Sequence, residues 1–229
     1  MPIFKLPDPD AAPIFPAPNL AEPDGLLAVG GGLTPPWLMS AYANGIFPWY
    51  DKGPILWWSP DPRMVLYPDA LRTPRSTVRH LKKRTYCVTM NTAFASVLRN
   101  CADMSRPDQE GTWINEEMIA GYEALHQQGC AHSVEVWKDN TLVGGLYGVA
   151  IGAVFCGESM FAKADDASKV AFSTLVPLLA SWGYKMIDCQ MHTDHLARFG
   201  AVEVPRSKFM AELSAFIGME VSPAAWSMP

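Results

Sequence analysis

The chain has few cysteines and few charged residues for its length. Only 5 of its 229 residues are cysteine, and no two of them form a C-x-x-C pair. This pattern argues against a disulfide scaffold and is typical of buried free thiols, so we expect a cytoplasmic protein. Charged residues make up 18% of the chain and the net charge is -5. The protein is therefore no polycation, and any contact with nucleic acid must come from a local basic patch.

Long apolar runs are also absent. No stretch of the sequence approaches the roughly 18 apolar residues that a membrane-spanning helix needs, so we expect no membrane partner. The first twenty residues are rich in proline. They lack the basic start and apolar centre of a signal peptide, and we expect no secretion.

Several nucleotide-binding and catalytic motifs are missing. The chain has no Walker loop, no G-x-G-x-x-G after a predicted strand and no G-x-S-x-G, which argues against ATP, NAD and a serine nucleophile. The segment from Cys189 to His195 has a C-x2-H-x2-H spacing. A tetrahedral zinc site needs a fourth ligand, so we expect no metal here. We interpret His195 as a helix-cap or packing residue.

The pattern of turns and apolar residues divides the chain into two parts. A proline-rich start, a short helix capped by Thr34 and a stretch rich in aromatic residues precede Asp61. We therefore predict a small N-terminal domain over residues 1–62 and a larger domain over residues 63–229.

The larger domain shows helices first and then an antiparallel meander. Three predicted strands, Ser133–Trp137, Leu142–Val149 and Ala153–Phe161, are joined by short turns. A helix starting near Asp165 and a strand over Lys185–Gln190 follow. The order predicts an α+β fold, by analogy a GNAT-like acyltransferase domain with a meander and a mixed sheet flanked by helices. In such folds neighbouring strands splay apart where the acyl donor enters.

Polar side chains interrupt the two strands on either side of the expected splay. Glu158 lies two residues before Met160, and Asp188 shares a face with Gln190, because side chains alternate along a strand. Buried carboxylates are costly unless they are paired or hydrogen-bonded. These residues predict a cleft for a charged or polar substrate, although a satisfied network inside the core is the alternative.

A basic helix and a set of aromatic residues suggest contacts with nucleic acid. Cationic residues follow helical spacing after Thr73 and predict phosphate contacts, with a solvated helix face as the alternative. The residues with this spacing are Arg75, Arg79, Lys82 and Lys83, and Arg84 follows them directly as a further expected phosphate contact. Trp49, Trp113 and Tyr122 lie near turn residues, where a nucleobase can stack for roughly 1–3 kcal/mol per base. Core packing is the alternative for each ring.

Several unusual sequence blocks occur in collinear order from about Pro16 to Phe209. They are Gly45–Trp49, Trp57–Arg63, Glu110–Ile114, Ser133–Trp137, Leu142–Gly148, Phe155–Phe161, Ala167–Lys169 and Ile187–Gln190. In these blocks the chain closely resembles the leucyl/phenylalanyl-tRNA–protein transferase family.

The resemblance implies a bacterial cytosolic enzyme that moves Leu, Phe or Met from aminoacyl-tRNA to an N-terminal Lys or Arg of a protein. The product would be marked for N-degron proteolysis. The resemblance implies a small N-terminal domain, a GNAT-like domain and no metal or coenzyme. We further expect a monomer.

The resemblance also implies roles for individual residues. Trp49, Trp113 and Tyr122 would contact the terminal adenosine of the tRNA. Glu158 would lie near the 3′ end and the acceptor, with Asp188 and Gln190 at the reaction centre. The aminoacyl pocket would be formed by Leu146, Gly157, Met160, Leu175, Leu179 and Ile187. The family often has aromatic residues at 175 and 179 and an acidic residue at Gly32, so the ranking of donors stays open.

Two other functions deserve comparison. An acyl-CoA-dependent GNAT enzyme would need a glycine-rich pyrophosphate loop, whereas residues 161–166 contain no glycine and end in two aspartates. A non-catalytic RNA-binding module would explain the basic helix and the tryptophans. It would not explain Glu158, Asp188 and Gln190.

Overall fold

The computed structural model describes residues 3–104 and 114–226, which form two sheets and surrounding helices. The α-helices are α1 Pro35–Ala43, α2 Arg75–Lys83, α3 Phe94–Ala102, α4 Glu116–Gln127, α5 Ala167–Trp182, α6 Asp194–Arg198 and α7 Arg206–Phe216. The strands are β1 Phe4–Lys5, β2 Leu26–Val29, β3 Phe47–Pro48, β4 Leu56–Trp58, β5 Arg63–Leu66, β6 Cys87–Met90, β7 Ala131–Lys138, β8 Thr141–Ile151, β9 Val154–Ala162, β10 Met186–Gln190 and β11 Val202–Val204.

The larger sheet contains the predicted meander. Its seven strands lie in the order β11-β5-β10-β9-β8-β7-β6, and β7, β8 and β9 are antiparallel neighbours. Strand β10 returns through α5 and pairs parallel with β9. The predicted α+β class is confirmed, because the meander is part of one mixed sheet that packs against helices.

The predicted splay lies between β9 and β10. Their pairing runs from Val154 and Met186 to Cys156 and Asp188, whereas β9 itself continues to Ala162. Beyond Asp188, β10 bulges against β5. The two strands therefore leave a gap that neighbouring side chains line.

Six short strands were missing from the sequence-based prediction. They are β1 to β6, none longer than four residues. Such short strands depend on their neighbours for every backbone hydrogen bond, so their own sequence carries little signal. The most consequential is β5, which inserts between β10 and β11.

The N-terminal segment packs closely on the larger sheet. Strands β1 to β4 form a separate four-stranded sheet. Trp37 and Trp57 belong to the same buried cluster as Tyr122, Tyr147 and Phe161 of the larger part. The two parts share one core, and the division at residue 62 stays a prediction.

The last described residues close the core on the side of α5. Trp226 stacks on His132 with ring centroids 4.1 Å apart, and its indole N–H donates to the Tyr184 hydroxyl at 2.9 Å. The Asn91 amide lies 3.2 Å from His132 Nδ1. Burial, and to a smaller extent His126, lowers the pKa of His132 to about 4. The neutral imidazole is therefore the form that the fold stabilises.

We predict that His132→Phe changes the pH dependence of stability. The folded pKa lies below the ordinary value of about 6.5, so the contribution of His132 is present above pH 6.5 and is lost as the pH falls towards 4. The wild type should lose stability relative to the variant over that interval, as measured by urea unfolding at successive pH values. A difference between the two proteins that stays constant from pH 7 to 4 would contradict the assignment.

Candidate functional site

A cavity of about 540 Å³ opens where β9 and β10 separate. Residues 157–162 of β9 line one wall, and Ile187, Cys189 and Gln190 of β10 line another. Phe47, Pro48 and Trp49 contribute from the N-terminal segment. Most of the lining is apolar, so a ligand inside it would lose much of its contact with water.

Glu158 is the acidic residue among the described residues that line this cavity. The Tyr122 hydroxyl donates to Glu158 Oε2 at 2.8 Å, and the Gln190 amide donates to Oε1 at 2.7 Å. Burial raises the pKa of Glu158 to about 7, although the hydrogen bonds from tyrosine and from Gln190 oppose this rise. Glu158 can therefore take up or release a proton near neutral pH.

Asp188 is buried away from the cavity and is paired with Arg63. Arg63 Nε donates to Asp188 Oδ1 at 2.8 Å and Nη2 donates to Oδ2 at 2.7 Å, and each side chain is 1–2% exposed. The guanidinium also lies over the rings of Phe47 and Phe209, at 4.8 Å and 4.6 Å from their centroids. A carboxylate held this way positions its neighbours, but it cannot itself reach a substrate in the cavity.

Gln190 connects the buried pair to the cavity. Its backbone N–H donates to Asp188 Oδ1 at 2.9 Å, while its side-chain amide holds Glu158. Gln190 has a φ of +63°, an unusual value for a residue other than glycine. The bulge after Asp188 thus turns the Gln190 amide towards Glu158. The structure brings the three predicted catalytic residues together in one hydrogen-bonded network.

The aromatic residues expected at the terminal adenosine have different surroundings. Trp49 lines the cavity and packs edge-on against Trp58 at 5.5 Å. Tyr122 is fully buried and does not line the cavity, so a base cannot stack on it. Its hydroxyl instead holds Glu158 and contacts the Tyr42 hydroxyl at 2.7 Å. Trp113 lies outside the described residues.

The expected aminoacyl pocket matches the cavity lining in part. Leu146, Gly157, Met160 and Ile187 line the cavity. Leu175 and Leu179 belong to α5, where both are fully buried in the core, and they do not line the cavity. Phe172, one turn before Leu175 on the same apolar stripe, contributes instead. The sequence placed the correct helix face at the site, but it did not show how far along the helix the cavity extends.

The basic residues on and just after α2 are exposed. Arg75, Arg79, Lys82, Lys83 and Arg84 all face solvent. Thr77 is the buried residue of the helix, and its hydroxyl lies 3.3 Å from Asp166 Oδ2. Residues 163–166 connect this contact to Ala162 in the cavity wall. The contact therefore joins α2 to the segment that follows the cavity wall.

His195 is a packing residue, one of the two alternatives we predicted, because its ring packs edge-on against Phe199 with centroids 5.2 Å apart. Thr193 caps α6, because its hydroxyl accepts a hydrogen bond from Leu196 N at 3.2 Å. His195 lines the cavity, and its buried Nε2 has no hydrogen-bond partner within the described part of the chain.

Among the described residues, no group of three or more His, Cys, Asp or Glu side chains could hold a metal ion.

Comparisons with known proteins identify a family. Residues 65–214 match the family model described as leucyl/phenylalanyl-tRNA protein transferase, and residues 31–61 match the model of its N-terminal domain. A relative named leucyl/phenylalanyl-tRNA–protein transferase from Anaeromyxobacter dehalogenans (strain 2CP-C) is 55% identical over 100% of this chain and 97% of its own length. One of the same name from Nitratidesulfovibrio vulgaris (strain DP4) is also 55% identical, over 96% and 95% of the two chains.

Similarity to solved structures is weaker. The structure of L-PGS from Bacillus licheniformis is 12% identical with a TM-score of 0.41, over 66% of this chain and 51% of that one. A GCN5-related N-acetyltransferase from Kribbella flavida is 10% identical with a TM-score of 0.39, over 74% and 60%.

We predict that Arg63→Met strongly destabilises the protein, because it leaves the buried Asp188 carboxylate without its cation. Losing one partner of a buried pair costs about 3–5 kcal/mol in the free energy of unfolding. The double variant Arg63→Met/Asp188→Leu should recover much of this loss. Urea unfolding measures each value.

Arg99→Met is the matched control. Arg99 forms an exposed ion pair with Glu116 at 3.6 Å, and such pairs contribute about 0–1 kcal/mol. Equal destabilisation by Arg63→Met and Arg99→Met would contradict the role given to the buried pair.

Proposed function

The chain belongs to the leucyl/phenylalanyl-tRNA–protein transferase family, and on that premise we propose that the cavity between β9 and β10 holds the reacting groups. The protein is an aminoacyltransferase with an aminoacyl-tRNA donor and a protein acceptor. The donors we propose are Leu, Phe and Met, and the acceptor begins with Lys or Arg. Family membership sets aside both the acyl-CoA enzyme and the non-catalytic RNA-binding module.

The donor side chain occupies the apolar part of the cavity. Leu146, Met160, Phe172 and Ile187 line this part. Buried charges without partners are costly, so charged donors are rejected. One methylene is worth only about 1–3 kcal/mol in such a pocket. Leu, Phe and Met therefore share one pocket. Trp49 in the cavity lining offers a ring on which the terminal adenosine stacks.

The proposed mechanism depends on Glu158, because its carboxylate faces the cavity and has a pKa of about 7. The neutral α-amine of the acceptor attacks the ester carbonyl, and a C–N bond forms as the C–O bond to the ribose breaks. Glu158 accepts the proton from the amine, and the leaving ribose hydroxyl receives a proton in turn. The ester is already activated, so orientation supplies much of the acceleration and no metal or coenzyme takes part.

The same carboxylate contributes to the choice of acceptor. A negative charge in a partly buried cavity attracts a cationic N-terminal residue more strongly than it would in water. Asp188 acts through Gln190, because Arg63 neutralises and covers its carboxylate. Asp188 is thus a positioning residue in this mechanism, while Glu158 and Gln190 contact the substrates.

The exposed cations of α2 bind tRNA phosphates in this proposal. Five cations on and just after a nine-residue helix form a local basic patch on a chain whose net charge is -5. We also propose a monomeric enzyme that acts in the cytoplasm and marks its products for N-degron proteolysis. The five free cysteines are consistent with a reducing compartment. None of the helices in the described ranges has the length and apolarity needed to cross a membrane.

We expect transfer of Leu, Phe and Met, but not of Lys, Ile or Val, to a peptide that begins with Arg. Lys carries a charge, and β-branched side chains are stiff near the Cβ atom that must enter the pocket. The measurement is competition among charged tRNAs, with product masses read by mass spectrometry. A matched peptide that begins with Ala controls for the acceptor. Efficient transfer of Lys would contradict the pocket assignment, and equal transfer to both peptides would contradict the acceptor assignment.

We predict that kcat/KM for the Arg-starting peptide rises with pH through about 7, as Glu158 loses its proton. Glu158→Gln should remove this rise in kcat/KM. Only the rise caused by deprotonation of the acceptor amine, at roughly pH 7.7–8.0, should remain. Tyr122→Phe deletes a hydrogen bond that lowers the pKa of Glu158, so the rise in kcat/KM should move to higher pH. A Glu158→Gln enzyme with the wild-type profile would exclude Glu158 as the proton acceptor.

A further inference from the structure

A second cavity, also of about 540 Å³, lies at the edge of the seven-stranded sheet. We call it the hairpin groove, because the turn between β7 and β8 forms part of its rim. Its lining includes Arg84, Tyr86, Thr92, Trp137, Lys138 and Asp139. It shares Arg84 with the basic patch of α2, and none of its lining residues belongs to the first cavity.

The groove combines aromatic rings with exposed cations. Tyr86 and Trp137 are partly exposed, and each is held by a hydrogen bond, to Asp165 O at 2.7 Å and to Thr89 Oγ1 at 2.9 Å. Arg84 and Lys138 are exposed beside them. Fixed rings next to cations are what single-stranded nucleic acid binds, because bases stack and phosphates pair with the charges.

Two carboxylates lie near the cations Arg84 and Lys138. Asp139 is exposed at the rim. Glu135 is fully buried nearby, where the Thr89 and Thr92 hydroxyls donate to Oε2 at 2.6 Å and 2.9 Å. Glu135 is therefore satisfied within the protein, while Asp139 is free to weaken the attraction for an anion. This makes Asp139 a useful site for a test.

The register of the sheet gives the distance from the groove to the first cavity. One row of paired residues runs from Val88 through Val136 and Gly144 to Ala162, which lines the first cavity. Three strand spacings correspond to about 14 Å. Stacked nucleotides rise roughly 3.4 Å each, so about four of them span this distance. The basic residues Lys82 and Lys83 precede the groove on α2.

We propose that the hairpin groove binds the single-stranded nucleotides of aminoacyl-tRNA that precede the terminal adenosine. The inference rests on the proposed function in one respect: the 3′ end must occupy the first cavity. The bases then stack on Tyr86 and Trp137, and their phosphates contact Arg84 and Lys138. This contact contributes to donor binding and leaves the chemical step unchanged.

Two adjacent substitutions with opposite effects on charge test the proposal. Lys138→Glu should raise KM for aminoacyl-tRNA about threefold or more, because it replaces an attraction for phosphate with a repulsion. Asp139→Asn should lower that KM, since it removes the opposing charge. Asp139 has a φ of +49°, a conformation that Asn tolerates well, so the second variant keeps the turn.

The controls separate the groove from the first cavity. An aminoacyl-adenosine ester lacks the preceding nucleotides, so its KM should be the same in the wild type and both variants. Lys185→Glu makes the same charge change at an exposed position just before β10, at the opposite end of the sheet from Ala162. It should leave KM for aminoacyl-tRNA unchanged. The slope of log Kd against log salt for uncharged tRNA should fall by about 0.7 in Lys138→Glu.

Three outcomes would overturn the proposal. The first is an unchanged KM for aminoacyl-tRNA in both groove variants. The second is an altered KM for the acceptor peptide instead, which would show that the groove takes a protein chain. The third is an equal effect of Lys185→Glu. If the wild type transferred nothing from either donor, the proposed function would fail, while the salt dependence of tRNA binding would still test the groove.

Discussion

The buried ion pair between Arg63 and Asp188 is the contact on which the rest of the site depends. It joins β5 to β10 across 125 residues of sequence. Arg63 also donates to Gly45 O at 3.1 Å and lies between the rings of Phe47 and Phe209. Removing either charge leaves the other without compensation in a dry environment. The N-terminal segment, the central sheet and α7 therefore meet at one guanidinium group.

The two carboxylates of the site differ in their partners, and this difference assigns their roles. Asp188 has a bidentate cation, whereas Glu158 accepts hydrogen bonds from neutral groups, among them Tyr122 and Gln190. Burial without a cation raises the pKa of Glu158 to about 7, and the nearby charge of Asp188 adds to this rise. Paired titratable groups in unlike environments commonly divide catalytic work in this way. One carboxylate orients the network and the other exchanges protons with the cavity.

Much of the fold and part of the site could be predicted from the sequence, for local reasons. The meander, α5 and β10 have clear periodicity, and Glu158 does line the cavity as predicted. The prediction that Asp188 and Gln190 share a face was wrong, because the bulge between them leaves Asp188 buried and Gln190 in the cavity lining. The partner of Asp188 could not be predicted, because Arg63 begins a strand of only four residues. Alternation along a strand or helix also cannot show how deeply a side chain is buried. It did not reveal that Tyr122 is fully buried, nor that Phe172 lines the cavity in place of Leu175 and Leu179.

The bulge in β10 links the stability of the fold to the existence of a cavity. A regular β10 would continue to pair with β9 beyond Cys156 and close the gap that a substrate needs. The backbone of Gln190 instead adopts a φ of +63°, which costs of order 1–2 kcal/mol for a residue with a side chain. Asp188 Oδ1 offsets part of this cost by accepting the Gln190 N–H, and Arg63 fixes Asp188 in turn. The same ion pair therefore stabilises the core and fixes Asp188, which holds the backbone of the residue whose amide positions Glu158.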